Sequence, residues 1–384
     1  MTTPSPTPPA SLRFAANVLW KALALLLVFN LLFAWLYPLE TLGRLSAYNR
    51  LFPGRQRLPY GDQPDKAYNL TLDNLEAMLA AHELAGRPPA ADEYRVILIG
   101  DSSTWGWLLP AQQTLAAQIN ALNLETTDGR RVRAYNLGYP VMSVTKDLLL
   151  LSYALRYQPD LVIWPVTLES LPYDKQLFSP LLQNNPEPVR ALIAQYGLRL
   201  DPQSPEFNAP GFWQRTILGA RRPLADLLRL QLYGVPWAAT GIDQDIPAHY
   251  DPPQSDLSAE LGFHGLTPPH LAPADLALDV LAAGVRMAGD TPLLLVNEPM
   301  FVSNGKNSDV RYNFYYPRWA YDDYRQIMQA QSQQNGWNYL DLWDLIPAAE
   351  FTNSAVHLSP QGTRLLAERL GAAIQQIAAE GSRP

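Results

Sequence analysis

With 384 residues, 47% of them apolar and 17% charged, the chain is long and apolar enough for one large α/β domain with insertions, which excludes global disorder. A formal net charge of −7 excludes nucleic acid as the main partner, since binding phosphates needs clustered Lys and Arg. The absence of Cys removes disulfides, thiolate zinc sites and a Cys nucleophile together.

Residues 1–13 are polar and proline-rich and read as a disordered tail. Residues 14–38 form a nearly unbroken apolar run, longer than the roughly 20 residues a membrane-spanning helix needs. Trp20, Trp35 and Tyr37 suit the two interfaces, Lys21 can snorkel, and Asn30 is the one polar intruder in its second half. The following PLETLGRL offers no small-x-small cleavage site, so the run reads as an uncleaved single-pass signal anchor rather than a cleaved peptide. Arg13 and Lys21 on one side, with Arg44, Arg50, Arg55 and Arg57 on the other, leave its orientation open.

Residues 39–93 read as a juxtamembrane linker and helix: the linker, 39–68, is broken by Pro53, Gly54, Pro59, Gly61 and Pro64. A short helix follows it, with Thr71 as N-cap and Leu72, Leu75, Met78 and Leu79 on one face. From residue 94 to 384 five short apolar runs, at 94–100, 131–138, 160–166, 291–299 and 337–343, alternate with helical patterns at 111–123, 144–157, 273–288, 319–334 and 360–379. Continuous apolar strands between helices predict a parallel sheet covered on both faces. Residues 172–272 exceed one crossover and read as an insertion beside the site, rich in proline, with a basic helical stretch from Arg215 to Arg229.

Chemistry concentrates at two blocks. Gly100, Asp101, Ser102, Ser103 directly follow the first strand run, which puts the Ser102 hydroxyl at the carboxyl edge of the sheet and its N–H at a helix start suited to a developing oxyanion. The same run would also suit a plain helix cap. VHLSPQG, residues 356–362, puts His357 just before the last helix, at the same edge, where it can serve as base for a Ser nucleophile. An isolated His is most often a surface residue; both blocks in this order favour catalysis.

GDSS after the first strand, Asn136-Leu137-Gly138 after the second and HLSPQG before the last helix resemble the SGNH (GDSL-like) hydrolases over about residues 94–380. The resemblance implies a three-layer α/β/α fold with a five-stranded parallel, flavodoxin-like sheet in order 2-1-3-4-5. It implies Ser102 as nucleophile, His357 as general base, and the N–H groups of Ser102 and Gly138 in the oxyanion hole. Two departures stand out. The family's Gly-x-Asn-Asp block is replaced by PVTLES, residues 165–170, where only Thr167 offers a donor in place of the Asn, and losing one such donor costs about 10²–10³ in rate. The family's Asp three residues before the His is Ser354, beside Asn353. The site then runs either as a Ser–His dyad with Ser354 or Asn353 orienting the ring, or with an acid from elsewhere. Glu298, at the end of the fourth strand run, is the first candidate and is equally suited to pairing Arg311 or Arg318; Asp341 and Asp344 follow.

The aromatic run from Arg311 to Trp319 suits either a sugar pocket or core packing. His249, His264 and His270 lack zinc-site spacing, no metal ligand set is expected, and no cofactor is implied. The resemblance, with the anchor, implies an esterase or O-acyltransferase acting on acylated envelope or extracellular glycans or small esters, with the catalytic domain outside the cytoplasm and room for an envelope assembly partner. The rival is a non-catalytic SGNH-like glycan-binding or scaffolding protein.

Overall fold

The computed structural model describes residues 12–45, 54–60, 74–240 and 246–381. The proposed tail up to residue 11, and Arg50, Pro53, Gly61, Pro64, Thr71 and Leu72, lie outside them. Helix α1, Leu12–Leu36, carries a 23-residue span, Phe14–Leu36, long and apolar enough to cross a membrane; a signal sequence meets the same test. It is followed by α2, Leu39–Arg44.

Helix α3 is Leu75–Ala81, and its N-cap is Asn74, whose side chain accepts from Ala77 N–H. Of the stretch read as juxtamembrane linker and helix, residues 54–60 and the helix from Leu75 pack on the folded body. Leu75, Ala77, Met78, Leu79 and Ala81 of α3 are buried, and so are Arg57 and Leu58 before it.

The sheet has five parallel strands, β1 Glu93–Leu98, β2 Arg131–Asn136, β3 Leu161–Val166, β4 Leu293–Asn297 and β5 Asn338–Asp341, in the order β2-β1-β3-β4-β5 that the resemblance implies. Burial on both faces explains why the strand runs are continuously apolar rather than alternating. Ile97, Val162, Trp164 and Leu295 point to one face. Val96, Leu98, Ile163, Leu294 and Val296 point to the other. The first face is covered by α6 Val144–Ala154, α10 Leu278–Ala288 and α11 Arg318–Asn335, the second by α5 Leu115–Ala121 and α12 Pro360–Gly381. Burial of this many Leu, Ile and Val side chains, each contributing about 1.5–3 kcal/mol, holds the three layers together.

Four shorter or outlying helices complete the described residues: α4 Ser102–Trp105, α7 Pro180–Gln183, α8 Pro186–Tyr196 and α9 Arg221–Thr240. Leu181, Leu182, Val189, Leu192 and Ile193 of α7 and α8 join the first-face core. The expected insertion therefore contributes to the main core from both its ends, with Phe207, Phe263 and Leu271 joining these, while α9 carries exposed apolar side chains. The Arg311–Trp319 run is packing material: Arg311 donates to the carbonyls of Glu260, Phe314 and Tyr315, and Tyr312 and Tyr316 are buried.

Candidate active site

All the strands are parallel, so the loops after β1, β3, β4 and β5 converge at one edge of the sheet. The β1 loop turns sharply at Gly100, where φ is +153° and an added Cβ would lie 2.5 Å from Thr104 Oγ1. Asp101 caps α4 through Ser103 N–H at 2.8 Å. Ser102 follows, half-buried, and its Oγ is 2.8 Å from His357 Nε2. His357 sits in a closed loop fixed by Thr352 N–H to His357 O at 2.9 Å and by the bridge between Phe351 and Leu358. Its Nδ1 is 2.9 Å from Asn353 Oδ1. An amide oxygen only accepts, so Nδ1 carries the proton and Nε2 presents its lone pair to the Ser102 hydroxyl. Ser102, His357 and Asn353 thus form a linear relay of the Ser–His–amide kind.

The relay is nearly carboxylate-free. Burial pushes the His357 imidazole down to about 4, opposed only by the charge of Asp101. Glu298, the expected acid, is turned elsewhere. It is buried, its Oε2 accepts from the Ser103 hydroxyl, and burial beside Asp101 raises it well above the usual carboxylate range. A carboxyl in that position stays protonated rather than stabilising an imidazolium. Arg311 and Arg318 do not pair with it either: both donate to backbone carbonyls. Asp341 is held by Arg325 at 2.8 Å and by Asn297, and Asp344 is exposed. Ser354 is buried behind the loop, against the Tyr315 hydroxyl.

Two of the expected oxyanion donors are engaged differently. Gly138 N–H donates to Asn136 Oδ1 at 2.9 Å. The reason is structural: Asn136 is buried at the end of β2 and its amide ties α4 down through the carbonyls of Thr104 and Trp105, at 2.9 and 3.2 Å. Gly138 allows that approach, since a Cβ there would lie 2.5 Å from Trp105 N. Thr167 is fully buried and its hydroxyl pairs with Tyr316 OH at 2.8 Å, because a buried phenol needs a partner. Ser102 N–H has no acceptor among the described residues, which leaves it free for a developing oxyanion.

Two groups near the nucleophile were not expected from the sequence. Lys146 is fully buried and its ammonium bonds Gly100 O at 2.7 Å, Tyr139 O and, as an ion pair at 2.7 Å, Asp147. It clamps the loops after β1 and β2 on either side of Ser102. Its signal was a Lys-Asp pair opening an otherwise apolar helix. The second group is residues 54–60. Arg57 donates to Gly106 O and Leu109 O, both at 3.0 Å, and lies 4.2 Å over the Trp105 ring. Trp105 Nε1–H donates to Leu58 O at 2.8 Å. Tyr60 meets Trp107 edge-on at 5.8 Å, and Trp107 stacks on His357 at 6.0 Å and 21°. No sequence signal marks this contact.

A cavity of about 780 Å³, lined by Tyr37, Asn74, Asn185, Asn208 and Gln214 among others, lies away from these residues; neither Ser102 nor His357 lines it. No cluster of metal-ligating side chains is present among the described residues. His264 instead bridges Asp174 at 2.8 Å and Glu169 at 3.2 Å.

No family model matches the chain, and no curated protein matches it. Among solved structures it is similar to Est24, a carbohydrate acetylesterase from Sinorhizobium meliloti, at 13% identity over 74% of this chain and 99% of that one, with a TM-score of 0.33. It is similar to the aryl esterase of M. smegmatis at 12% identity over 73% of this chain and 98% of that one, TM-score 0.33. A member of the lipolytic G-D-S-L family from Veillonella parvula DSM 2008 gives 11% identity over 72% of this chain and 94% of that one, TM-score 0.33. At such identities the chemistry has to be argued from the side chains themselves.

Proposed function

We propose that the chain is a membrane-anchored serine ester hydrolase or O-acyltransferase acting on acylated envelope or extracellular glycans, with α1 as its anchor. The observation that carries this reading is the Ser102–His357–Asn353 relay, with distances of 2.8 and 2.9 Å. Ser102 Oγ attacks the ester carbonyl while His357 Nε2 takes its proton. The oxyanion draws on Ser102 N–H. His357 returns the proton to the departing alcohol oxygen, which leaves an acyl group on Ser102. Water or a sugar hydroxyl, deprotonated by the same nitrogen, then releases the acyl group and regenerates the serine. The short supply of oxyanion donors favours an activated or partner-presented ester over a broad hydrolytic role.

The test compares the full chain with its Ser102→Ala variant. Turnover of a short-chain aryl acetate and a fluorophosphonate adduct on Ser102, both lost in Ser102→Ala, are expected. A folded wild type that neither labels nor hydrolyses would leave the non-catalytic, glycan-binding reading in its place. Transfer is distinguished from hydrolysis by adding a soluble oligosaccharide acceptor and weighing the product.

A further inference from the structure

The insertion holds an exposed surface that the catalytic reading does not use. Trp213 and Leu218 precede α9, and Leu228 and Leu232 stand one turn apart on it; Trp213 is 73% exposed and Leu232 71%. Single exposed apolar residues need no explanation, but four large ones within twenty residues of one segment do. The same stretch is locally basic. Residues 211–240 contain Arg215, Arg221, Arg222 and Arg229 against Asp226 alone, in a chain of net charge −7.

Its position relative to α1 supplies the second, independent observation. Asn30 Oδ1 accepts from Leu218 N–H at 3.1 Å, and the Arg215 guanidinium lies 5.0 Å over the Tyr37 ring. Asn30 and Ala34, one turn apart, are buried, while most of the helix around them is exposed. Asn30 is six residues before Leu36, so at 1.5 Å per residue the Leu218 backbone lies roughly 9 Å inside the end of the apolar span. An amphipathic element buries its apolar face about 5–10 Å into the boundary between headgroups and acyl chains. The polar intruder in α1 thus serves as the socket for the insertion, pairing with a backbone N–H that would otherwise be unsatisfied at that depth.

We propose that residues 211–235 form a second membrane-binding element, docked on α1 through Asn30, with its apolar side chains in the bilayer surface and its arginines among anionic headgroups. The proposal rests on reading α1 as a membrane anchor. It fixes the height of the catalytic domain: two contacts with the bilayer, not one flexible tether, hold the active-site edge at a set distance from the surface.

The chain has no Cys, so single cysteines can be introduced for labelling without other changes. The full chain, one copy per phosphatidylcholine nanodisc containing phosphatidylglycerol, carries an environment-sensitive fluorophore at Trp213→Cys, Leu232→Cys, Phe29→Cys or Ala372→Cys. Phe29 is exposed on α1 and Ala372 exposed on α12. Doxyl groups carried by the lipids are expected to quench the 213 and 232 probes to within about twofold of the Phe29 probe and to leave the 372 probe bright. Quenching at 29 but not at 213 and 232 overturns the proposal and keeps the anchor. No quenching at 29, 213 and 232 overturns both. Neither outcome touches the Ser102 chemistry, which is read separately by fluorophosphonate labelling.

Discussion

An imidazole steadied by an amide and not by a carboxylate sets the behaviour of Ser102. A carboxylate on Nδ1 would raise the basicity of His357 and stabilise the imidazolium formed in the transition state. Asn353 supplies the orientation without that charge. A general base works only when unprotonated, and burial holds His357 at about 4, so the acid limb of kcat/KM is expected near pH 4 instead of near the ordinary imidazole value. Asn353→Asp is expected to move that limb upward and to raise kcat, because a negative charge beside Nδ1 favours the imidazolium. Asn353→Ala removes one neutral hydrogen bond and should lower kcat by roughly 3–10-fold, leaving the limb close to its place. A pH–rate profile of the three proteins checks both statements; an Asn353→Ala enzyme with unchanged kcat would show that the amide does not hold the ring. Glu298 belongs to a different task. As a buried carboxyl bonded to Ser103, it stiffens the turn that carries Ser102.

At the scale of elements, the candidate site is built partly from residues 54–60, between α2 and α3. Arg57, Leu58 and Tyr60 form a continuous packed path through Trp105 and Trp107 to the His357 ring. Arg57→Met leaves the carbonyls of Gly106 and Leu109 without this donor. Lost hydrogen bonds from a charged group cost about 1.5–3 kcal/mol. The expected result is a Tm drop together with a fall in kcat of roughly tenfold at nearly constant KM, because the loop after α4 loosens around Ser102. Arg57→Lys, which keeps the charge but not the two-carbonyl reach of the fork, should recover part of it. Parallel measurement of Tm, kcat and the rate of fluorophosphonate labelling separates these effects: a stability loss with unchanged kcat would confine Arg57 to a structural role. The segment before α9, which holds Asn30 of α1 through Leu218 N–H, is the other place where a contact between separate elements sets position.

For the whole molecule, buried titratable groups shape stability against pH. His82 is fully buried between α3 and the sheet, with Nε2–H donating to Asn136 O at 3.0 Å, and burial pushes it down to about 4. Between pH 4 and 6.5 the unfolded chain binds a proton there that the folded chain does not, so stability rises with pH across this window. His82 contributes stability in full above the unfolded value and loses it as pH falls towards 4, on the order of 3 kcal/mol. His357 acts in the same direction. Asp147, raised by burial to about 6, acts in reverse and loses its contribution as pH rises through that value. His82→Gln keeps a donor for Asn136 O and removes the titration, so its Tm should vary less than that of the wild type between pH 4 and 6.5. An equal slope in both would assign the acid sensitivity to other groups.

Local patterns along the chain sufficed for the five strands and the span of α1, while the strand order was implied by the resemblance to the SGNH hydrolases. The patterns are continuous apolar runs between amphipathic helices, Gly-Asp-Ser after the first strand and a long uncharged stretch. The pairing of Ser102 with His357 was also legible, because a parallel sheet brings the ends of all its strands to one edge. Tertiary structure alone decided which neighbours complete the site. Asn353 instead of Glu298 holds His357, since loop closure between Phe351 and Leu358 aims the amide at Nδ1. Gly138 N–H goes to Asn136 and the Thr167 hydroxyl to Tyr316 because each buried polar group must find a partner, and partners 149 residues apart, as Thr167 and Tyr316 are, leave no pattern along the chain. The contacts of Arg57 with Gly106 and of Asn30 with Leu218 were equally invisible, for both depend on where separately folded segments come to rest against each other.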